Sequence, residues 1–565
     1  MTSDVLIMGG GATGQLAAAY LQQSFPALRI AVVEGPHKNR PIVGESFVEL
    51  TIDFLLELGL GPYLVENHYP KYGLTYYYKL DIENPADRTY VVDEAPTVPP
   101  QLSFQVNRFT LDEEVRRRNC LNGVQMIEGT VVGADLAHDD GELHAVTVED
   151  PGRQKHATRA RWLIDATGRN RVLAKLLNLQ EKVKEQKNVF WFRLANFDAE
   201  ILSHINAIKK QNRAFVPYFA THHFFGRGNW IWCIPMRSPE NTPFISIGIT
   251  YRQDQYPYGN VRTMEQFLDC VGREHQVIVD LVRSGTVVDT NVYASYMWEC
   301  RQRYSPDRWY IIGDAGDTVD PLYSVGMALG SLQIRQVAAM IQRELDGHDT
   351  REFTRDLDTA FTAFQRSVTR DTTRLYTCTG DPYQCHLRVH LVVAKMFHLA
   401  VPLIMKGYLC DPLGAKLINR FAKLNTLEED SRIFHDLIRE VAKNPKNREV
   451  KDFIKVQSTD SLNFEFFEYQ REEEIPDSLV RLVFGLARLR LDLLRKLGWR
   501  GFTNTQQLGA LFKDLGRGIF LKAFFSHRNL RQSRMVRMLI PIREPVADSR
   551  QMAQGTPQPV KTSLS

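Results

Sequence analysis

Val5-Leu6-Ile7-Met8-Gly9-Gly10-Gly11-Ala12-Thr13-Gly14 is the stretch that decides the fold. Four apolar residues without polar alternation read as a strand buried on both faces, as parallel sheets require. The glycines fit G-x-G-x-x-G. The first makes a tight turn, the second admits a pyrophosphate against the backbone, and the third lets helix and strand pack closely. Gln15 to Gln23, rich in Ala and Leu and closed before Pro26, reads as the next helix. Its unpaired N–H groups and positive dipole end would face a phosphate. Ile30 to Val33 reads as a second strand, and Glu34 at its end stands 20 residues after Gly14. A carboxylate there accepts hydrogen bonds from ribose hydroxyls. Strand, turn, helix, strand and acid in register point to dinucleotide binding by Gly9, Gly11, Ala12, Thr13, Gly14 and Glu34. A merely structural glycine turn explains only the turn.

Working outward, Trp162-Leu163-Ile164 runs into Asp165-Ala166-Thr167-Gly168, and Trp309 to Ile312 runs into Gly313-Asp314. Both read as strands. The glycine motif does not separate FAD from NAD, but two features favour FAD. Asp314 follows a buried strand, where a carboxylate meets a ribityl-like polyol; the alternative is that it caps a turn. Ser324-Val325-Gly326-Met327 opens a helix whose N-terminus would stabilise negative charge on a reduced flavin. No second G-x-G-x-x-G stands in a strand–helix context. Either a nicotinamide visits transiently or a partner flavin reductase supplies the reduced cofactor.

The 565 residues are 44% hydrophobic and 24% charged, ordinary globular composition for two to four units. The seven cysteines are an odd count without a CxxC pair, so neither a disulfide framework nor a zinc site is suggested, and a reducing cytoplasm fits. There is no signal-like N-terminus, and no window reaches the ~18 uninterrupted apolar residues of a membrane span. The closest, Leu391 to Met405, contains Lys395, His398 and Pro402.

Thr75–Tyr78, Phe190–Leu194, Trp230–Ile234 and Phe244–Thr250 alternate like strands of a second sheet, assigned to substrate binding. Beyond about Ser324 the pattern turns helical. The expected fold is α/β: a Rossmann-type FAD-binding domain with an inserted antiparallel β substrate domain and a mainly α C-terminal domain. The boundaries are 1–180 with 300–345 for the first, including a substrate-side insertion near 65–105. The β domain is 181–299, the helical domain 346–545, and 546–565 a disordered tail.

Trp230-Ile231-Trp232-Cys233-Ile234-Pro235 matches W-x-W-x-I-P, and Gly44-Glu45-Ser46 matches a G-E-S turn. Both are signatures of flavin-dependent halogenases, which the chain resembles over about residues 1–345. Arg108, four residues before Asp112, resembles the R-x-x-x-D flavin-contacting segment of related flavoprotein monooxygenases. The resemblance implies Ser46, Arg108, Asp314, Gly326 and Met327 at the flavin. It also implies that Trp230 and Trp232, which point the same way on a strand, wall the flavin from the substrate. They would otherwise be core aromatics covering a sheet.

Lys71, in Tyr69-Pro70-Lys71-Tyr72-Gly73, resembles the segment that holds the family's catalytic lysine. Such enzymes use reduced flavin and oxygen to oxidise a halide to hypohalous acid, which is diffusible and unselective. An amine in a dry pocket, its pKa lowered by burial, holds that acid or forms a haloamine. A solvated lysine on a strand edge is the bland alternative. In Thr318-Val319-Asp320-Pro321-Leu322-Tyr323-Ser324-Val325-Gly326, Pro321, Ser324 and Gly326 match the family's F-x-x-P-x-x-S-x-G, while Thr318 replaces the phenylalanine. Halide would be held at Ser324, Val325 and Gly326; the same backbone also suits flavin contact. Tyr323 stands where tryptophan halogenases have a glutamate, so a phenol or pyrrole substrate fits better.

Between Arg481 and Arg543 there are 14 Lys/Arg against two acids, leaving −8 for the rest of a chain whose net charge is +4. Leu479 to Leu497, and Phe520 to Ile542 with Arg528, Arg531, Arg534 and Arg537, read as basic amphipathic helices. They suit an anionic membrane surface or an acidic acyl-carrier protein bearing the substrate, or simply a solvated helix face, which is the simpler reading. No nucleic-acid recognition motif accompanies the charge. The leading expectation is an FAD-dependent halogenase of an electron-rich aromatic, using chloride or bromide. The alternatives are a non-halogenating flavin monooxygenase or oxidase, supported by Thr318, and a non-catalytic flavin-binding docking protein.

Overall fold

The computed structural model describes residues 2–36, 42–94, 103–139, 141–208, 217–238, 243–423, 426–448 and 474–526. Strand Thr2–Met8 lies inside a seven-stranded sheet, parallel to Ile30–Glu34 on one side and Lys155–Asp165 on the other. Gln125–Glu128 extends the sheet beyond Ile30–Glu34, and Trp309–Ile311 pairs parallel with the end of Lys155–Asp165. Val5 to Met8 are fully buried, as two covered faces demand. Lys155–Asp165 changes character along its length. Its first half is mostly exposed, in an antiparallel pairing with His144–Glu149, and its apolar second half lies in the parallel sheet. The parallel strands end together. Gly9, Ala166 and Ile312 are each tied by backbone hydrogen bonds to the neighbouring strand (2.8, 2.8 and 2.9 Å), which lines up the glycine turn, the Asp165 turn and Gly313-Asp314 on one edge. Ligands of such sheets bind beyond the carboxyl ends of the strands.

The second sheet has eight strands in the order Asn206–Ile208, Thr89–Asp93, Leu74–Lys79, Thr221–Gly226, Asn229–Arg237, Pro243–Arg252, Lys187–Ala195, Thr286–Tyr293. It is mixed rather than purely antiparallel, because Leu74–Lys79 runs parallel to Thr221–Gly226. Two of its strands come from 65–105. That segment belongs largely to this sheet and not to the dinucleotide unit, since its tyrosine-rich strand needs hydrogen-bonded neighbours on both sides.

Period-two alternation gives the sheet two different faces. Tyr77, Phe224, Ile231, Cys233 and Ile247 bury one face in a core completed by helices Met264–Gly272 and Gln276–Arg283. Tyr76, Tyr78, Phe225, Trp230, Trp232 and Trp191 fill the other, which belongs to the large core shared with the dinucleotide unit. Trp191 and Trp232 flank Gly248 on adjacent strands. A Cβ at Gly248 would lie 2.2 Å from Trp232 Cζ2 and 2.6 Å from Trp191 Cβ, so only glycine leaves room for both indoles.

From Gly326 the described chain is helical to Ser526. These helices do not form a separately cored domain: one apolar cluster runs from Val5 through Phe361, Leu387 and Leu437 to Leu494 and Leu511. Pro382–Met405 is long and apolar enough to cross a membrane by length and composition, yet 61% of its apolar window is buried inside the chain. It is a core helix with a π-turn at Met396–Ala400. Within the basic region Arg490 is buried on Asp514 (3.1 Å) and Gln507 (3.0 Å), a structural role. Arg481, Arg488 and Arg495 are exposed. Arg528, Arg531, Arg534, Arg537 and the expected tail 546–565 lie outside the described residues.

Candidate active site

The glycine turn forms an open cradle at the start of helix Ala12–Ser24. Gly9 has φ +107°, and a Cβ on Gly14 would stand 1.9 Å from the Gly9 carbonyl oxygen, so turn and helix touch backbone to backbone. A Cβ on Gly11 would meet nothing within 4 Å, and no side chain caps the first turn. Those N–H groups face open space, which suits a pyrophosphate. Glu34 sits against Gly10 and is held by Arg116 and by Gln15 Nε2 at 3.2 Å. Thr13 packs against Gly313, which has φ +59°.

Asp165 does not face this cleft. It is fully buried and accepts from Thr167 N (2.9 Å), Thr167 Oγ1 (2.6 Å) and Leu173 N (2.6 Å), fixing the turn. Asp314 is exposed in the cleft although ringed by protein. Desolvation raises its carboxyl above the ordinary range, and Arg169, Arg108 and Arg171 oppose that. Arg169 and Arg171, directly after Asp165-Ala166-Thr167-Gly168, escaped the sequence reading; two arginines beyond a dinucleotide-fold turn were the signal. Arg108 is nearly buried, bidentate on Asp112 (2.9 Å each), and donates to the Val43 carbonyl at 3.0 Å. It therefore anchors the Gly44-Glu45-Ser46 turn. The open helix start, Glu34 and the exposed Asp314 beside a cationic group fit FAD.

Lys71 ends the short strand Tyr69–Lys71, paired with Ser103–Gln105. It is 1% exposed, and its Nζ donates to the Phe47 carbonyl at 3.0 Å. Burial pulls its pKa down to about 8, against the pull of Glu49 upward. The solvated-lysine reading is excluded. Ser46 bridges to Gln105 on the same short sheet. Its hydroxyl lies 2.8 Å from Thr221 Oγ1 and accepts from Ser324 Oγ at 3.1 Å. Lysine, G-E-S turn and Ser324 loop thus converge through Ser46-Phe47, although 253 residues separate Lys71 from Ser324. Ser324 is left-handed (φ +55°), which turns the chain into helix Gly326–Leu345, and no side chain caps that helix start at Val325. Glu45, buried behind the turn, has its carboxyl pushed up to about 7 by desolvation.

Trp230 and Trp232 are almost fully buried on one face, ring centroids 5.6 Å apart. Trp232 Nε1 donates to Ser246 Oγ at 3.3 Å, and Trp230 Nε1 to the Tyr376 hydroxyl at 2.7 Å. Tyr376 donates in turn to Asp320 Oδ2 at 2.6 Å, and Lys187 Nζ lies 2.8 Å from that oxygen. Asp320 also caps the turn Pro321–Tyr323 by accepting from Leu322 N at 3.0 Å. The network Trp230–Tyr376–Asp320–Lys187 was not legible in the sequence, because its members come from four distant segments. Thr318 donates to the Tyr296 carbonyl and accepts from Trp298 N, both at 2.7 Å, so its hydroxyl stitches the loop to the chain beside it. Tyr323 is buried, and its hydroxyl has no hydrogen-bond partner among the described residues. Burial holds that phenol far above its ordinary pKa, so it stays protonated and does not replace a carboxylate base.

A family model described as tryptophan halogenase matches residues 4–78 and 76–371. The flavin-dependent halogenase chlA of Dictyostelium discoideum is 27% identical over 372 residues, covering 60% of this chain and 60% of that protein. The chain therefore spans about three-fifths of that relative's length. The 1H-pyrrole-2-carbonyl-(peptidyl-carrier protein) chlorinase of Pseudomonas fluorescens is 26% identical over 350 residues, covering 59% of this chain and 74% of that protein. A crystal structure of a halogenase PltM variant in complex with FAD superposes with a TM-score of 0.64 at 15% identity, over 80% of this chain and 94% of that one. It supports the same fold.

Proposed function

The chain belongs to the tryptophan halogenase family, and from that premise we propose that it is an FAD-dependent enzyme that halogenates an electron-rich aromatic ring of phenol or pyrrole type. One observation carries the reading: a buried amine, Lys71 Nζ, hydrogen-bonded to Phe47 beside Ser46, whose hydroxyl meets Ser324 at the mouth of helix Gly326–Leu345. Bound FAD, reduced and supplied with oxygen, would provide the oxidising power that turns halide into an electrophile.

The protein's own residues do the rest. Gly9, Gly11, Ala12, Thr13 and Gly14 would seat the pyrophosphate, Glu34 the adenosine ribose and Asp314 the ribityl chain. Arg108 holds the turn that carries Ser46, and Ser46, Arg108, Gly326 and Met327 would line the flavin. Ser324, Val325 and Gly326 would hold the halide at the uncapped helix start. Lys71, whose charged form burial disfavours so that far more of it is neutral near pH 8 than of a solvated lysine, would intercept the electrophile at Nζ. The Phe47 carbonyl orients that nitrogen. Trp230 and Trp232 would keep water and the substrate ring away from bound FAD. With Tyr323 protonated, a substrate that carries its own electron-donating oxygen needs least help, which favours a phenol.

The relatives make carrier delivery a specific option, since one of them is named for a carrier-bound pyrrole. A separate flavin reductase would supply reduced FAD. We place the enzyme in the cytoplasm. Exposed Trp499, Phe512, Ile519 and Phe520 beside Lys513 and Lys522 give it a surface for anionic membranes, testable by vesicle sedimentation.

The test supplies purified protein with FAD, a flavin reductase, NADH, oxygen and bromide or chloride against a panel of phenols and a carrier-bound pyrrole. Halogenated product by mass spectrometry, absent in Lys71→Ala, is expected. Hydroxylated product without halogen would establish instead the monooxygenase reading, which Thr318 favours.

A further inference from the structure

Away from the flavin edge, Asp93, His386 and His390 bring three donor atoms within 4.8 Å of one another. Asp93 ends strand Thr89–Asp93, in register with Tyr76 on the neighbouring strand. His386 and His390 are four apart on helix Pro382–Lys395, so both rings leave the same side of that helix. His386 Nδ1 lies 2.7 Å and His390 Nδ1 3.8 Å from the same oxygen, Asp93 Oδ2. The imidazole centroids are 4.9 Å apart, and Tyr78 packs its edge on His386 at 5.3 Å.

One carboxylate oxygen thus faces two imidazoles at once. The carboxylate is more than nine-tenths buried and also interacts with the Tyr78 hydroxyl, although its Oδ1 is in full hydrogen-bond geometry with no described residue. A buried carboxylate oxygen short of good partners is costly, and a bound cation would relieve that cost. His390 presents its Nδ1 to the same carboxylate from the partly exposed side of the cluster. A neutral imidazole is the form that binds metals.

We propose that Asp93, His386 and His390 form a binding site for one divalent late first-row transition-metal ion, with zinc as the natural probe. Two nitrogen donors and one carboxylate suit zinc or its neighbours and disfavour calcium and magnesium, which take oxygen ligands. Ligands ~2.1 Å from a tetrahedral centre stand roughly 3.4 Å apart, within the 2.7–4.8 Å range that the donor atoms span here. The ion would take the place of the direct contact between His386 Nδ1 and Asp93 Oδ2, with the partly exposed His390 at the open side of the cluster. The ion would rivet helix Pro382–Lys395 to the sheet face that carries Tyr76, Tyr78 and the two tryptophans. Its role is to fix the cover of that face, and the inference stands whether or not the chain halogenates. The cysteine pattern pointed to no zinc site; the His-x-x-x-His spacing on a helix was the signal that the cysteines do not carry.

The experiment uses the untagged full-length protein, freed of metal by dialysis against chelator. Zinc titration by calorimetry and elemental analysis after desalting should give one zinc per chain. The melting temperature should rise with zinc. Asp93→Asn and His390→Gln should each weaken binding at least ~tenfold, the loss typical even of a secondary ligand partner, and abolish the zinc-dependent rise. His156→Gln, an exposed histidine elsewhere, should change nothing. If Asp93→Asn fails to fold, His390→Gln at the exposed edge decides alone. Substoichiometric zinc, or equal zinc uptake by wild type and His390→Gln, overturns the site.

Discussion

Trp230 donates its indole N–H to the hydroxyl of Tyr376, 146 residues away at the end of helix Arg351–Leu375, at 2.7 Å. The same hydroxyl grips Asp320, which caps the turn leading to Ser324. One phenol from the C-terminal helices therefore holds both the Trp230 indole and the turn that leads to the proposed halide loop. Tyr376→Phe leaves a buried N–H and a buried carboxylate short of a partner, a cost of about 1–3 kcal/mol. Product formed per flavin oxidised should fall severalfold while FAD affinity stays within about twofold. Coupling measured as halogenated product against hydrogen peroxide checks this, and unchanged coupling would remove Tyr376 from the positioning role.

Lys71 is a buried amine whose charged form the fold disfavours. Its folded pKa, about 8 against 10.5, means that below pH 8 folding must carry a charge in a dry site, at ~3 kcal/mol. Stability from this group is therefore low below pH 8 and is recovered as pH rises from 8 to 10.5. Lys71→Met should raise the melting temperature at pH 7 by a few degrees and lower halogenation by at least ~100-fold, with FAD still bound. Calorimetry and a product assay on the same preparation test the two halves. A variant that melts lower than wild type would show that the amine stabilises the fold instead.

The same lowered pKa predicts the pH profile of the chemistry. If the neutral amine is the working form, halogenation under saturating substrate should rise with pH and reach half its limit near pH 8. A rate that falls through this range would assign the work to the ammonium form, acting as a hydrogen-bond donor.

Gly248 lies between Trp191 and Trp232 with no room for a methyl group. Gly248→Ala should cost about 1–3 kcal/mol through overpacking and displace the Trp232 indole. Chemical denaturation gives the first number, and tryptophan fluorescence of the folded variant reports the second. Unperturbed fluorescence together with wild-type stability would mean that the indoles have slack the packing does not show.

How much of this could be read in advance depends on how local each feature is. The dinucleotide unit was legible because its information is contiguous: Val5 to Glu34 carries strand, turn, helix and acid in 30 residues. The tryptophan face followed from simple alternation along Trp230–Ile234. Lys71 was legible only through a family likeness, since nothing in Tyr69-Pro70-Lys71 announces that the side chain will be buried. What stayed hidden was long-range. Asp320, Lys187 and Tyr376 lie in ordinary-looking segments and acquire meaning only when the C-terminal helices fold back on the sheet. Treating 346–545 as a separate helical domain followed from the same limit, because helical periodicity shows which face of a helix is apolar but not which core receives it.

The continuity of the apolar cluster from Val5 to Leu511 also bears on how the gene could be cut. A truncated chain ending near residue 345 would keep every recognisable signature yet strip the cover from Tyr78, Trp230 and Tyr323, leaving a sticky, half-built protein. Exchanging this sheet between related chains would thus have to move its helical cap with it, as one heritable block.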